Sequence, residues 1–259
     1  MVSKSILITG TTRGIGEALL KHHVGRGDAV IAVDRRPHKG AKEPFNNVKH
    51  YTLDISDRSS VKSFLDELLS GGQFPDIVYF NAGLHDADND VYLNFSAFSE
   101  IIDVNMMSVF HFLSICMPRI SKPCIFVYIS SGVTIFPNPS CIGYFVSKLG
   151  VTKTFDHFAY RYASLGFAFK TVVLGPVQTD LLANSPRPPG LVGLLREMTT
   201  GNVDELTPRI VKFTESSGKR MYYRKSSMII LWIARIAQWL LPSRYKLYQA
   251  RVTPPEKRK

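Results

Sequence analysis

The chain has 259 residues, 45% of them apolar and 20% charged, enough to close a sizeable core without disulfides or metals and too apolar for a disordered chain. Its 32 Lys and Arg against 21 Asp and Glu give a formal net charge of +11. Eleven bases and one acid, Glu256, lie beyond Gly218, so +10 of that charge belongs to the tail; the body ahead of it is nearly neutral, which argues against nucleic-acid binding.

Met1 to Lys4 leads at once into an apolar run with no leader pattern, and a cytoplasmic protein is expected. Short β-branched runs then alternate with longer helical patterns. Strands are expected at Ser5 to Thr9, Val30 to Asp34, Val48 to Leu53, Ile77 to Asn81, Ile125 to Ser130 and Thr171 to Gly175. Helices are expected at Gly14 to Arg26, Asp57 to Leu69, a pair across Ser96 to Ile120, and Gly143 to Ser164. The alternation specifies an α/β fold, a doubly wound parallel sheet of Rossmann-like type in a single domain over residues 1–218. A last helix from about Pro208 to Ser216 and a short strand near Met221 to Tyr223 complete it, and residues 219–259 form a C-terminal apolar and basic helical tail. His22 and His23 fall on the first helix and are expected at the surface.

The first run ends in Thr9-Gly-Thr-Thr-Arg-Gly-Ile-Gly16, a glycine-rich turn that opens a helix. Gly10, Gly14 and Gly16 let the backbone of Thr12, Arg13 and Ile15 close around a pyrophosphate at the positive end of the helix. Asp34, closing the second strand about 20 residues on, suits the two ribose hydroxyls of an adenosine and disfavours a 2′-phosphate there. The expected cofactor is therefore NAD; Arg13 and Arg35, basic groups beside those positions, keep NADP as the alternative.

The turn resembles the short-chain dehydrogenase/reductase family, whose Thr-Gly-x-x-x-Gly-Ile-Gly is matched at Thr9 to Gly16, and the resemblance runs over roughly residues 5 to 215. It implies that Asp54 and Ile55 contact the adenine and that Asn81, Ala82 and Gly83 line the cofactor, with Phe80 replacing the family's first Asn. After the sixth strand, Pro176, Val177 and Thr179 resemble the segment that binds the carboxamide; Leu174 departs from the usual proline there, while Gly175 and Pro176 still suit a turn.

Tyr144 and Lys148 stand four residues apart on one helical face, so an ammonium is placed to lower the pKa of a phenol. Ser131 precedes Tyr144 by thirteen residues. In the family, that serine polarises the substrate oxygen, the tyrosine moves the proton, the lysine also holds the nicotinamide ribose, and an asparagine matched by Asn105 holds a water on a distorted helix. The resemblance thus implies an NAD(P)-dependent oxidoreductase, commonly a homodimer or tetramer, with Asn105, Ser131, Tyr144 and Lys148 as its catalytic set. A non-catalytic dinucleotide-binding scaffold is the alternative, and its mark, a lost catalytic residue, is not present.

Cys116, Cys124 and Cys141 fit no ligand spacing and are expected as buried thiols. His85 with Asp86, Asp88 and Asp90 reads as a solvated loop, and no metal is expected. Cys141, Ile142, Phe136, Pro137 and Phe145 are expected around the substrate. The segment Leu181 to Thr207, with Pro-rich residues and then Leu191 to Leu195, reads as a flap.

In the tail, Met228 to Leu241 is apolar for 14 residues, short of the roughly 20 that span a bilayer, and carries Trp232 and Trp239 between basic flanks. That composition suits a helix lying on an anionic membrane surface through residues 228–259; packing on the body or on another subunit is the alternative. With the apolar flap, it points to a lipophilic alcohol or ketone as substrate and to peripheral membrane association.

Overall fold

The computed structural model describes residues 3–37, 46–72, 74–85, 94–135, 141–179 and 200–223. The apolar runs form seven strands: β1 (Ser5–Thr9), β2 (Ala29–Asp34), β3 (Val48–Thr52), β4 (Ile77–Phe80), β5 (Cys124–Ser131), β6 (Phe167–Leu174) and β7 (Arg220–Tyr222). The helices are α1 (Gly14–Gly25), α2 (Arg58–Ser70), α3 (Phe95–Ile102), α4 (Ser108–Cys116), α5 (Ile142–Arg161) and α6 (Val203–Thr214). The strands lie in the order β3-β2-β1-β4-β5-β6-β7, every neighbouring pair parallel. The sheet is Rossmann-like and doubly wound, as the alternation of runs predicts.

Strands buried on both faces need cover on both, which explains why β4 and the centre of β1 are apolar at every position rather than at alternate ones. One core, with Leu7, Val78, Phe126 and Phe169, is closed by α2, α4 and α5. The other, with Ile6, Ile8, Tyr79, Val127 and Val172, is closed by α1 and α6.

Most boundaries shift by a few residues from expectation, and the early starts of β6 and α6 have a local reason. β6 begins at Phe167 rather than Thr171, because Lys170 interrupts the apolar run in sequence but is buried in the sheet. Its Nζ donates to Phe213 O at 3.3 Å and to Ser216 O, so the cation caps the C-terminal end of α6, where helix carbonyls lack partners. α6 starts at Val203, ahead of Pro208, because the Asn202 side chain accepts from Asp204 N at 2.8 Å and two acids follow in the first turn. β5 takes in Ser131 as its last residue.

His23 corrects the surface expectation. It is 1% exposed, bonded through Nδ1 to Asp28 at 2.7 Å and through Nε2 to the Tyr79 hydroxyl at 3.3 Å, which itself donates to Thr214 at 3.2 Å. Burial lowers its pKa against the opposing pull of Asp28. A histidine on α1 thus helps fasten α1 to the sheet and to α6, a tertiary fact that a helical pattern does not carry. The three cysteines are free and buried, as expected.

Candidate active site

The strand order reverses between β1 and β4, and a crevice opens at the carboxyl ends of the strands there. The glycine turn borders it. Gly10 has φ +76°, and a Cβ at Gly16 would stand 1.9 Å from Gly10 O, so the start of α1 presses against the turn at a distance only glycine allows. Asn81 braces this arrangement: its Nδ2 donates to Thr9 O at 3.1 Å and Gly10 O at 2.8 Å. The Thr9 hydroxyl in turn accepts from Asn81 N and Ala82 N, each at 3.1 Å.

Asp34 is buried and committed to the same turn. Its oxygens accept from Thr11 N and the Thr11 hydroxyl, both at 2.5 Å, and from Thr12 N at 3.2 Å. Thr11 is a residue the spacing of glycines did not single out. Arg13, Arg35 and Thr12 are exposed around this carboxylate, as is Arg36.

Beside the turn a mainly apolar cavity is lined by Val33, Leu53, Ile55, Phe64, Ala82 and Phe112, among others. Asp54 holds the loop at its rim by accepting from Ser56 N at 2.9 Å. The close-packed glycines, the helix N-terminus and the apolar cavity beside them are of a kind that fits a dinucleotide.

Across the crevice, the segment after β6 returns towards the turn. Val177 pairs with Gly201, and the Thr179 methyl lies 3.4 Å from where a Cβ would stand at Gly14. Pro176 O accepts from Gly201 N at 2.8 Å, fixing the approach.

Asn105, Ser131, Tyr144 and Lys148 come together at the inner end. The helix between α3 and α4 is π-wound over Asp103–Met107, an inserted bulge of the kind that often marks a functional position. It points the Asn105 amide at the loop after β4, where Oδ1 accepts from Leu84 N at 2.7 Å and Nδ2 donates to Leu84 O at 2.8 Å. Nδ2 also donates to Ser147 on α5 at 3.1 Å. A Cβ at Gly83 would lie 3.1 Å from Asn105 Oδ1 and 3.4 Å from Lys148 Nζ, so Gly83 sits where the two side chains meet.

The Tyr144 hydroxyl is hydrogen-bonded by Ser131, and its ring packs with Ile101 and Cys141, with Leu84 and Val133 alongside. Burial pushes Tyr144 up to about 12, with the Ser131 bond acting the other way. Burial pushes Lys148 down to about 7, and its Nζ donates to Ile129 O at 2.9 Å. The expected lowering of the tyrosine by the lysine is not found here, because burial disfavours both charges.

Ser130, the neighbour of Ser131, is occupied with Thr152 at 2.6 Å. His85, read from sequence as part of a solvated loop, meets the edge of Tyr144 with ring centres 4.7 Å apart. Asp86, Asp88, Asp90, Phe136, Pro137, most of the flap and the tail helix lie outside the described residues. Among the described residues no group of three His, Cys, Asp or Glu side chains is gathered to hold a metal.

Residues 4–189 match the family described as short chain dehydrogenase. The chain is 26% identical over 195 residues to the 3beta-hydroxysteroid dehydrogenase 1 of Eggerthella lenta, covering 70% of this chain and 73% of that protein. Its fold is similar to that of a short chain dehydrogenase from Burkholderia cenocepacia solved in complex with NADP, with TM-score 0.73 and 20% identity over 97% of this chain and 98% of that one. It is similar also to a 3-ketoacyl-(acyl-carrier-protein) reductase from Brucella melitensis complexed with NADH, with TM-score 0.72 and 22% identity over 85% and 96%.

Proposed function

The chain belongs to the short-chain dehydrogenase family and is an NAD(P)-dependent oxidoreductase, and from that premise we propose that it interconverts a lipophilic alcohol and its ketone or aldehyde, with Tyr144 as the acid and base. The observation that carries this reading is the buried Tyr144 hydroxyl, bonded by Ser131 and flanked by Lys148.

When bound, the dinucleotide supplies or takes up the two electrons and the hydrogen of the reaction at its nicotinamide ring. The protein's own part is position and protons. Gly10 to Gly16 would hold the pyrophosphate at the start of α1, and Ile55 and Ala82 would flank the adenine. Thr179, drawn in towards Gly14, would bind the carboxamide. Tyr144, which keeps its proton at neutral pH, gives it to a carbonyl oxygen that Ser131 holds. Lys148 then offsets the phenolate left behind, and Asn105 fixes the loop that faces both.

A lipophilic substrate is supported by the apolar surroundings of Tyr144, namely Ile101, Leu84, Val133 and Cys141. NAD over NADP is supported by Asp34, whose carboxylate is held in place by the turn and would meet a 2′-phosphate at short range. Turnover measured against hydrophobic and polyol substrates, each with both cofactors, tests these points together. The expected result is highest kcat/KM with a hydrophobic alcohol or ketone and tighter binding of NADH than of NADPH. Preference for polyols ends the first claim, and much tighter NADPH the second.

The composition of residues 228–259 supports a peripheral membrane address. In liposome flotation the full chain is expected to rise with anionic vesicles and a chain cut at Ser226 to stay behind; a full chain that stays behind ends the idea.

A further inference from the structure

Lys148 has a problem that the reaction scheme does not solve. It is 4% exposed, its ammonium donates to one main-chain oxygen of β5, and burial is what sets its titration. A cation in that position needs a counter-group to keep its charge and its place. Among the described residues, the groups that face it and Tyr144 are the Tyr128 phenol, the Asn105 amide, the Ser131 and Ser147 hydroxyls, the Cys141 thiol, and His85 at the edge of Tyr144.

Tyr128 is the nearest of the aromatic faces. It stands at the middle of β5, 1% exposed, with its ring centre 4.8 Å from Lys148 Nζ against 5.6 Å for Tyr144. Its hydroxyl donates to Asn105 O at 3.3 Å, inside the π-wound turn. One side chain therefore touches both the cation and the bulge. A phenol face attracts an ammonium most strongly where water is excluded, and this site is closed.

We propose that Tyr128 is a positioning residue for the Tyr144–Lys148 pair: its ring face carries the Lys148 ammonium, and its hydroxyl ties Asn105 to the same strand. The inference rests on the reading of Tyr144 and Lys148 given above. It adds that the charge available to the phenolate depends on a residue one strand position away from Ile129 that touches neither substrate nor cofactor.

The test keeps an aromatic ring at the position and changes its electronics. The two variants are Tyr128→Phe and a pentafluorinated phenylalanine introduced at position 128, both in the full-length protein. Lysines are labelled with carbon-13 at Cε, and the Lys148 resonance is assigned by its loss in Lys148→Met. Its midpoint is then followed by NMR without added dinucleotide.

Tyr128→Phe is expected to leave the midpoint within about 0.3 pH unit, since the ring face is retained, while the fluorinated ring lowers it by roughly half to one and a half units. The pH limb of kcat/KM is expected to follow by the same amount. An equal midpoint in both variants overturns the proposal, because a merely structural ring would give that result. A shifted NMR midpoint with no dehydrogenase activity in any form would instead overturn the functional reading while sustaining this one.

Discussion

Tyr144→Phe is expected to lower kcat by about a hundredfold to ten-thousandfold, the range that a positioned acid or base contributes, and to leave dinucleotide affinity nearly unchanged. The phenyl ring keeps its packing against Ile101 and Cys141 and its edge contact with His85, so what is lost is the hydroxyl and its bond to Ser131. Steady-state turnover with the best substrate of the panel, set beside a fluorescence titration of the dinucleotide, separates the two effects. Turnover within tenfold of the parent would remove Tyr144 from the acid–base role. Loss of cofactor binding together with turnover would show that the hydroxyl serves the dinucleotide site as well as the proton step.

The second large effect is expected from Gly16→Ala. The new Cβ would stand 1.9 Å from Gly10 O and 2.5 Å from Asn81 Nδ2, and these two atoms are themselves hydrogen-bonded. Neither the turn nor the brace can yield without separating β4 from the glycine loop. Overpacking of this kind costs about 1–3 kcal/mol or more, and at this chain length each kcal/mol shifts Tm by roughly 2–4 °C. A Tm lower by about 5 °C and dinucleotide affinity weaker by at least tenfold are expected in thermal melts and fluorescence titration. Gly25→Ala is the control: nothing lies within 4 Å of its added methyl, and it ends the same helix. Equal behaviour of the two variants would mean that close approach at Gly16 is not what the turn requires.

The parts of the site that depend on short-range spacing were legible in the sequence. Tyr144 and Lys148 share a helical face because they are four apart, and the glycine turn follows directly from β1 into α1. The parallel sheet was legible too, since strands buried on both sides lose the polar alternation. What was hidden is tertiary. The π-wound turn at Asn105 was expected only through the family resemblance, since no periodicity announces it, and its pairing with a loop 21 residues earlier was not foreseen. No helical pattern says that His23 finds Asp28 and Tyr79. Lys170 obscured the start of β6, because a lysine in an apolar run looks like a boundary until the carbonyls of α6 come to meet it. Asp34 was placed correctly at the end of β2, but its tie to Thr11 and Thr12 exists only once the loop has folded over it.

The five residues that follow β4 carry a consequence of their own. Asn81 grips the glycine turn, Gly83 separates Asn105 from Lys148, Leu84 is paired twice with the Asn105 amide, and His85 rests on Tyr144. One short segment therefore gauges the span between the place that holds a dinucleotide and the place that moves a proton. Inserting or deleting a residue within it would put the two ends out of register with each other, however intact each remained. Affinity for the cofactor and competence in the proton step are in this sense measured off the same piece of backbone, and neither can be retuned through that segment without disturbing the other.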